Sequence, residues 1–544
     1  MSGMPGTTIT DLLAASEPAG TRALGELIER LNGIGEAGVH GARSDGRPIG
    51  AAGLAGVAIS GIAADSRRVR PGAIFVALRG EHVDGHDYVA DAAAAGAAAA
   101  IVERPLPEFS LPQLVVGRAS RALAAGAAWW YGDPSREFPV VGVTGTDGKT
   151  TTAILAAAAL GAAGIRPGLV GTVETHVGGI VEPNAEHVTT PQAPELQHLL
   201  RAMVAAGDAA AIVETTSHGL ALDRVAEVAY DAAIITNVTH EHLELHGTFE
   251  AYRDAKLSLF ERLAGRAGAG SPYPRAGIVN RDDPSAALFE AVTREAGARL
   301  VTYGSDPGAD VRVLHVNEDA RRIRIQLAAP SGPADLDLRL AGRFNVHNAL
   351  AVVALGEAWG LDPAAIRAGL GGVPGVAGRM ERIDAGQPFG VVVDYAHSPA
   401  SLENVLDLLA PVAAARGGGV VVVFGSAGER DRAKRPLMGR VAGDRCRLVV
   451  VTDEDPRGED REAILDDIAR GAEAAGRRRD LDLLLIADRR AAIVAAFERA
   501  HEGDIVLLAG KGHERSIIGP AGPRSWDEQA EARAALADLG YRTA

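Results

Sequence analysis

A glycine-rich segment is the part of the sequence whose residue types and spacing most directly indicate chemistry. It reads Gly142-Val-Thr-Gly145-Thr-Asp-Gly148-Lys149-Thr150-Thr151 and follows the apolar run 138–143. Backbone N–H groups in such a loop, together with the start of the following helix, attract phosphate oxygens, and Lys149 adds a full positive charge. A threonine hydroxyl after the lysine can bind Mg²⁺. The sequence therefore predicts a nucleotide phosphate site formed by Gly145, Thr146, Asp147, Gly148, Lys149, Thr150 and Thr151.

Two further candidate ligands follow the next predicted strands. Glu214 ends the apolar run 211–214, and His242 comes shortly after the run 233–237. Parallel strands end at one edge of a sheet, where α/β proteins bind their ligands, so we expect Glu214, His242 and Thr150 to converge. Carboxylate and hydroxyl oxygens favour Mg²⁺ shared with ATP phosphates. A zinc site built on the histidines of segment 240–246 is the alternative, and it is weaker because no four-ligand set is evident there.

Alternating strands and helices must position these residues. The alternation predicts a mainly parallel sheet with helices on both faces, and it restarts after a glycine-rich break at 371–378. We predict an α/β fold of three domains. They are a small N-terminal α/β domain (1–137), a central P-loop-type ATPase domain with a mainly parallel sheet (138–376), and a C-terminal Rossmann-like doubly wound domain (377–544). Residues 32–56, rich in glycine with scattered arginine and aspartate, are interpreted as a flexible insertion.

Composition narrows the class of protein. The net charge of −15 argues against general nucleic-acid or membrane binding, and small-molecule partners are expected instead. The single cysteine, Cys446, excludes an internal disulfide framework and a cysteine-rich metal site, which suits a reducing compartment. The first residues show no basic start followed by an apolar core, so no signal peptide is predicted. We expect a cytoplasmic protein, and we expect it to be a monomer.

The motifs of the chain, taken in order, resemble the Mur ligase family. Besides the phosphate loop they are Glu214-Thr-Thr-Ser-His218, His246-Gly-Thr-Phe-Glu-Ala-Tyr-Arg-Asp-Ala-Lys256, Gly342-Arg-Phe-Asn345-Val-His-Asn348, Gly378-Arg379-Met-Glu-Arg and Asp394-Tyr-Ala-His397-Ser-Pro399. The resemblance extends from about residue 57 to the end. It is strongest to those members that add the third peptide residue, because Asp65-Ser66-Arg67, Asp455-Pro456-Arg457 and Gly510-Lys-Gly-His-Glu514 match their distinguishing motifs.

The resemblance implies a role for each matching residue. The central domain is expected to bind ATP and two Mg²⁺ ions, with the metals held by Thr150, Glu214, His242 and Lys256. Lys256 matches a lysine that the family carries as a carbamate (N6-carboxylysine), which turns a cation into an anionic metal ligand. The residues implied beside the nucleotide are Asn345, His347, Asn348 and Arg379. Those implied in catalysis are Lys149, Lys256, Arg379 and Asp394.

Two substrate sites are implied in the same way. Ser66, in the first domain, matches the uridine site of the UDP-linked precursor. The positions that match its muramoyl-peptide part are Thr189, Thr190, Thr216 and Arg224. The residues implied around the incoming amino acid are Glu454, Asp455, Pro456, Arg457, Gly510 and Glu514.

The family resemblance implies an ATP-dependent ligase of peptidoglycan precursor synthesis that acts through an acyl phosphate. Arg457 can bind a second carboxylate in bidentate fashion, which favours meso-diaminopimelate as the amino acid added to UDP-MurNAc-L-Ala-D-Glu. Asp455 stands where the family motif has asparagine and brings a negative charge there, so lysine and ornithine remain open. A D-Ala-D-Ala-adding member and a folate-type polyglutamate ligase fit the motifs less well. A non-catalytic nucleotide-binding homologue is the alternative from another class, supported only by Asp147 and similar substitutions.

Overall fold

The computed structural model describes residues 7–80, 83–184, 188–239, 243–265, 271–318 and 322–541. Three large sheets follow one another along the chain, each with its own core. The predicted α/β architecture is confirmed, with a mainly parallel central sheet and a doubly wound C-terminal sheet. Within these ranges no helix combines the length and the apolarity needed to cross a membrane.

The central sheet has eleven strands, of which seven are parallel and form its middle. Five of these strands, from Pro167–Val170 to Ala276–Asn280, are buried along their whole length because helices cover both faces. From edge to edge the eleven strands are Ile180–Pro183, Glu174–Val177, Pro167–Val170, Ala210–Glu214, Val140–Thr144, Ala232–Ile235, Ala276–Asn280, Arg299–Gly304, Val311–Glu318, Ile323–Ala328 and Ala334–Leu338. The helices are Lys149–Ala162, Ala193–Ala205, Ser217–Ala221, Leu243–His246, Phe249–Glu261, Ala286–Glu295, Phe344–Trp359 and Pro363–Gly372.

Strand order places the phosphate loop at the centre of this sheet. The strand Val140–Thr144 lies between Ala210–Glu214 and Ala232–Ile235, and it is parallel to both. The chain leaves it toward one side of the sheet and later returns to the other. Such a change of direction opens a crevice at the carboxyl ends of the strands, where ligands bind.

The C-terminal sheet has six strands and continues the doubly wound pattern. In spatial order they are Glu381–Ile383, Gly390–Asp394, Ile505–Ala509, Val420–Phe424, Leu448–Val451 and Leu483–Leu485; the first pairing is antiparallel and the others are parallel. The helices are Pro399–Ala415, Lys434–Arg445, Arg461–Ala474, Arg489–Glu498 and Glu528–Asp538. A separate hairpin, Ser516–Gly519 with Gly522–Ser525, follows the last parallel strand.

The N-terminal sheet corrects one expectation. Residues 32–56 were predicted to be a flexible insertion, whereas they contain the hairpin Val39–Ser44 and Arg47–Ile49, whose first strand pairs with Gln113–Val116. Asp45 and Gly46 both have positive φ, as a tight hairpin turn requires, and Leu54 is buried. The sheet order is Arg47–Ile49, Val39–Ser44, Gln113–Val116, Ala99–Val102, Ala73–Val76 and Gly61–Ala63; Arg22–Ala23 pairs with Ala58–Ile59, and the helices are Leu24–Asn32, Val89–Ala94 and Ala119–Tyr131.

The helix Ile9–Ser16 belongs in space to the central domain although it precedes the N-terminal one in sequence. Ile9 is buried in the core shared with Val170 and Leu196, and its N–H donates to Oε1 of Glu182 at 2.9 Å. The carbonyl of Leu13 lies 2.8 Å from Nε2 of His198. This helix therefore ties the start of the chain to the central sheet.

Candidate active site

The phosphate loop owes its shape to two glycines. Gly145 has φ +148° and Gly148 has φ +85°, conformations that other residues rarely adopt. A Cβ on Gly145 would lie 1.8 Å from Oγ1 of Thr236, and one on Gly148 would lie 2.4 Å from Oδ1 of Asn348. Since these clashes leave no room for a side chain, only glycine fits at either position. The loop leads directly into the helix Lys149–Ala162, whose first N–H groups face the crevice.

Two lysines meet at one carbonyl of this loop. Lys149 Nζ donates to the carbonyl of Gly145 at 3.0 Å and to that of Thr146 at 2.7 Å. Lys256 Nζ, which is buried, donates to the same Gly145 carbonyl at 2.7 Å and lies 4.3 Å from the centre of the Tyr252 ring. Both lysine side chains therefore lie at the loop where phosphate is expected.

Glu214 is the centre of a group of oxygen atoms beside the loop. Its Oε2 accepts hydrogen bonds from Thr150 Oγ1 at 2.9 Å and from Thr172 Oγ1 at 2.8 Å, and Oε1 accepts from the N–H of Thr172 at 2.8 Å. Thr172 Oγ1 also lies 2.9 Å from Thr189 Oγ1 and can accept its hydroxyl proton. The side-chain atoms of this group are hydroxyl and carboxylate oxygens, which are the ligands that Mg²⁺ prefers. The structure thus brings together Thr150 and Glu214, two of the three residues that were expected to converge. The third, His242, lies outside the described residues.

A cavity of about 320 Å³ lies between the central and C-terminal domains, next to the loop. From the predicted nucleotide set it is lined by Asp147, Gly148, Thr150, Thr151, His347, Asn348 and Arg379, and Asp394 lines it as well. Asn345 is one step removed: its Oδ1 accepts from Asn348 Nδ2 at 2.9 Å, so it orients Asn348. His347 Nε2 lies 2.8 Å from Asp282 Oδ2.

Arg379 and Asp394 reach the cavity from the C-terminal domain. The Arg379 guanidinium stacks 4.6 Å from the centre of the Tyr395 ring, and its buried Nε has no hydrogen-bond partner within the described part of the chain. Asp394 accepts from the N–H groups of Met380 and Ala396, both at 2.8 Å. Burial raises the pKa of Asp394, Arg379 opposes that rise, and the charge of Asp147 adds to it. Arg379 thus has an N–H group that can donate a hydrogen bond to a ligand. Asp394 holds the backbone at Met380, next to Arg379.

Three of the four predicted peptide-binding residues meet near the backbone carbonyl of Glu214, whereas Thr189 lies on the side of its carboxylate. Thr190 Oγ1 donates to the backbone carbonyl of Glu214 at 2.8 Å and lies 3.0 Å from Thr216 Oγ1. Arg224 Nη1 donates to the carbonyl of Thr190 at 2.9 Å. Burial lowers the pKa of Arg224, which Glu195 partly offsets. The carboxylate of Glu214 contacts the phosphate loop, and its backbone carbonyl contacts this group. The predicted nucleotide and precursor sites are therefore only one side chain apart.

Ser66 lies in the N-terminal domain, in a turn that contacts the central domain. It begins the short helical turn Ser66–Arg68, and the neighbouring Arg68 Nη1 forms an ion pair with Glu195 Oε1 at 2.8 Å. Glu195 also acts electrostatically on Arg224, so the carboxylate that pairs with Arg68 lies near one residue of the predicted peptide site.

The predicted amino-acid site lies at the carboxyl ends of the C-terminal strands. Asp455 Oδ1 accepts from Lys511 Nζ at 2.9 Å, and Lys511 also pairs with Glu514, whose Oε1 accepts from Tyr395 OH at 3.3 Å. Burial alone would lower the pKa of Lys511, but the charges of Glu514 and Asp455 raise it. Asp455 and Glu514 thus share the positive charge of one buried lysine.

The remaining predicted members of this site surround that ion group. Glu454 is buried, its Oε2 has no hydrogen-bond partner among the described residues, and burial raises its pKa. Gly510, with φ +99°, lies against it: a Cβ there would be 3.4 Å from Oε2 of Glu454. Pro456 is buried and leads into Arg457, which is half-buried with φ +54°.

All four lysines of the chain lie in the cleft formed by the phosphate loop, the nucleotide cavity and the predicted amino-acid site, although lysine and arginine together number 55. Besides Lys149, Lys256 and Lys511 there is Lys434, whose Nζ donates to the carbonyl of His397 at 2.8 Å. Burial and the charge of Lys434 lower the pKa of His397 to about 3, so its ring is neutral.

Sequence reasoning missed several of the residues that build the cleft. The sequence motifs predict no role for Thr172, Tyr252, Lys434 or Lys511, although Tyr252 and Lys511 lie inside two of those motifs. The signal for Thr172 was available, because it follows the strand Pro167–Val170 at the same edge of the sheet as Glu214. The partners of Lys511 could not be read from its motif.

Comparison with known proteins defines the class. Residues 143–356 match the Mur ligase middle domain, 378–512 match the Mur ligase glutamate ligase domain, and 58–131 match the Mur ligase family catalytic domain. The chain belongs to the Mur ligase family and is an ATP-dependent amino-acid ligase, as predicted.

Individual relatives of the chain are ligases of muramyl-peptide precursors. It is 50% identical over 489 residues to a UDP-N-acetylmuramyl-tripeptide synthetase of Roseiflexus sp., covering 89% of this chain and 95% of that one. It is 39% identical over 492 residues to a UDP-N-acetylmuramoyl-L-alanyl-D-glutamate–2,6-diaminopimelate ligase of Solibacter usitatus, covering 90% and 95%. A solved structure of a ligase of that second name superposes with a TM-score of 0.59 at 30% identity, covering 89% of this chain and 96% of the other.

Proposed function

We propose that this ligase adds meso-diaminopimelate to UDP-MurNAc-L-Ala-D-Glu. The observation that carries the proposal is the pairing of Asp455 with the buried Lys511, which leaves Arg457 as the cation available to a second carboxylate. Lysine and ornithine have no such carboxylate. Relatives named as 2,6-diaminopimelate ligases, at 38–40% identity over 84–91% of this chain, support the same substrate.

The reaction follows from the order of sites in the cleft. The D-glutamate carboxylate of the precursor, held by Thr190, Thr216 and Arg224, attacks the γ-phosphorus of ATP and displaces ADP. Lys149 neutralises charge that develops on the transferred phosphoryl group. The amine of the incoming amino acid then attacks the acyl carbon, and phosphate leaves. Much of the rate comes from holding three reactants in line, which a cleft between three domains can do.

Thr150 and Glu214 are the described residues that would hold magnesium, together with His242 and a carbamate on Lys256. The metal would supply positive charge to the phosphate oxygens. Lys256 is buried against the loop carbonyl of Gly145. Addition of CO₂ to the Lys256 amine would form a carbamate. The side chain would then carry a negative charge and could bind metal through its oxygens.

The carbamate predicts a specific rescue. Lys256→Ala removes the anion, and we expect phosphate release to fall by about 10²–10³-fold, the loss typical of a single group that stabilises transition-state charge. Formate or acetate added to this variant should restore part of the activity by occupying the space of the carbamate. Lys149→Ala, measured beside it, should not respond to either anion. Rescue of both variants, or of neither, would contradict the carbamate.

One assay tests the function itself. The protein is incubated with ATP, Mg²⁺, UDP-MurNAc-L-Ala-D-Glu and one of meso-diaminopimelate, lysine or ornithine, and phosphate release and product mass are followed. We expect turnover with diaminopimelate. Turnover with lysine or ornithine alone would reject the substrate proposal, and absence of turnover with all three would favour a non-catalytic homologue. Lys149→Ala serves as the inactive reference.

A further inference from the structure

One residue of the last hairpin is bonded twice to the segment that carries Arg457. The N–H of Ile518 donates to Asp455 Oδ1 at 2.9 Å, and the carbonyl of Ile518 accepts from the N–H of Arg457 at 2.9 Å. The same Asp455 oxygen accepts from Lys511 Nζ. Asp455 therefore joins three parts of the site: its own segment, the lysine of the Gly510-Lys-Gly-His-Glu514 motif, and the strand Ser516–Gly519.

The backbone of Arg457 needs such support. Its φ of +54° lies in the left-handed region, which strains a non-glycine residue and persists only where the surroundings fix it. Its N–H is held by Ile518, and the carbonyl of Asp455 accepts from the N–H of Gly428 at 2.8 Å. The Arg457 side chain, by contrast, has a buried Nε without a hydrogen-bond partner in the described part of the chain. The backbone is fixed while the guanidinium keeps a donor for a ligand.

The charge of Asp455 is also accounted for. Lys511 is fully buried between Asp455 and Glu514, so the aspartate faces a cation inside the protein. A carboxylate with such a partner exerts far less repulsion on a bound anion than an isolated one would. The substitution of aspartate for the family's asparagine is then compatible with an anionic ligand at Arg457.

We propose that Asp455 is a positioning residue for Arg457: through Ile518 and Lys511 it holds the arginine in its left-handed conformation and so determines selectivity for an amino acid with a second carboxylate. The identity of that amino acid rests on the proposed function. The contacts that position Arg457 are formed between residues of this chain, so they are present without a bound amino acid.

Kinetics of two substitutions test the proposal. Asp455→Asn keeps an oxygen that accepts from Ile518 and Lys511, whereas Asp455→Ala removes it. We expect the alanine variant to raise KM for diaminopimelate about tenfold or more and to reduce the preference for diaminopimelate over lysine, with KM for ATP unchanged. The asparagine variant should restore wild-type values. Asp453→Asn, two residues earlier and paired with Arg461, is the matched control and should change neither quantity.

Three results would overturn the positioning role. A fall in KM for diaminopimelate in Asp455→Asn would show that the aspartate repels the substrate. Unchanged KM and preference in Asp455→Ala would show that Arg457 needs no such support. Equal losses in both variants would assign the effect to charge instead of to the accepted hydrogen bonds.

Hydrogen exchange separates this inference from the proposed function, because it requires no substrate. The amides of Arg457 and Ile518 should exchange faster in Asp455→Ala than in the wild type, and Asp455→Asn should keep their protection. Unchanged exchange in the alanine variant would refute the positioning role even if the enzyme uses diaminopimelate. Conversely, if the wild type uses lysine, the substrate proposal fails while the exchange result still decides the role of Asp455.

Discussion

Asp147 is the residue of the phosphate loop whose side chain is least expected beside an anion. Its backbone is fixed on both sides: the N–H donates to Asn237 Oδ1 at 3.0 Å, and the carbonyl accepts from Thr236 Oγ1 at 2.6 Å. The side chain lines the nucleotide cavity, and its charge acts on Asp394 across the domain boundary. Loop shape therefore depends on the backbone of this residue, while its charge opposes nucleotide binding.

Neutralising Asp147 should strengthen nucleotide binding. Asp147→Asn leaves the backbone hydrogen bonds in place and removes a negative charge beside the phosphates, so we expect KM for MgATP to fall by up to about tenfold, or about 1.4 kcal/mol, at a partly solvated site. Steady-state kinetics at fixed free Mg²⁺ measures this. Asp254→Asn, which removes the same charge from an exposed position, should leave KM unchanged. An unchanged or higher KM in Asp147→Asn would show that the carboxylate has a favourable partner when nucleotide is bound.

At this scale the sequence predicts which residues gather, and it predicts their hydrogen bonds poorly. Thr150, Glu214 and His242 are expected together because each follows a parallel strand. The structure joins Thr150 to Glu214 by a hydrogen bond, and His242 lies outside the described residues. The neutralisation of Asp455 by Lys511 was not foreseen, since 56 residues separate the two and only the fold brings them together. Motifs identify side chains, whereas their partners depend on packing.

Among the elements, the last helix of the chain is held to the C-terminal sheet by a buried ion pair. Arg489 Nη2 and Glu528 Oε1 lie 2.6 Å apart with both side chains fully buried, and Trp526 Nε1 donates to Glu528 Oε2 at 2.6 Å. Arg489 also donates to the carbonyls of Asp453 and Ala509. One guanidinium therefore links two helices to two strand ends.

Removing that arginine should destabilise the domain far more than removing its neighbour. Arg489→Ala leaves Glu528 buried and unpaired, and we expect the free energy of unfolding to fall by about 3–5 kcal/mol. Arg490→Ala, which breaks partly exposed pairs with Glu531 and Asp538, should cost about 0–1 kcal/mol. Denaturant unfolding of the full chain compares the two. Similar losses for both variants would contradict this assignment.

Elements were predicted where patterns are strong and missed where composition misleads. The strands Val140–Thr144 and Val420–Phe424 are apolar because both faces are covered, and this made them recognisable. The hairpin within 32–56 was mistaken for a flexible insertion because glycine, arginine and aspartate dominate it. Its strands lie at a sheet edge, where partial exposure permits polar residues, and the Asp45-Gly46 pair was the overlooked turn signal.

For the molecule as a whole, packed side chains and ion pairs that cross between the first two domains fix their arrangement. The Arg68–Glu195 ion pair is one such contact, and it lies next to the predicted precursor site. The helix Ile9–Ser16 is another, because it packs on the central domain before the chain enters the N-terminal domain. The ring of His198 stacks on Tyr131 of the N-terminal domain at 4.7 Å, beside that helix.

Loosening this helix should affect the precursor more than the nucleotide. Ile9→Ala removes most of the buried side chain, a change that costs about 2–5 kcal/mol in a packed core, and we expect the helix to detach more often. Limited proteolysis near residue 17 should accelerate, and KM for the UDP-linked precursor should rise with KM for ATP unchanged. Thr10→Ala, on the exposed face of the same helix, is the control. Equal proteolysis rates in the two variants would show that the helix does not fasten the domains.

The confinement of all four lysines to the cleft gives the protein an unusual chemical property. Elsewhere the positive charge is carried by guanidinium groups, which do not react with mild acylating reagents, so the amines open to such reagents are those of the cleft and the chain terminus. Because Lys256 and Lys511 are almost completely buried, Lys149 and Lys434 should be modified first. The extent of labelling at Lys149, read by mass spectrometry, would then report nucleotide occupancy without any engineered probe.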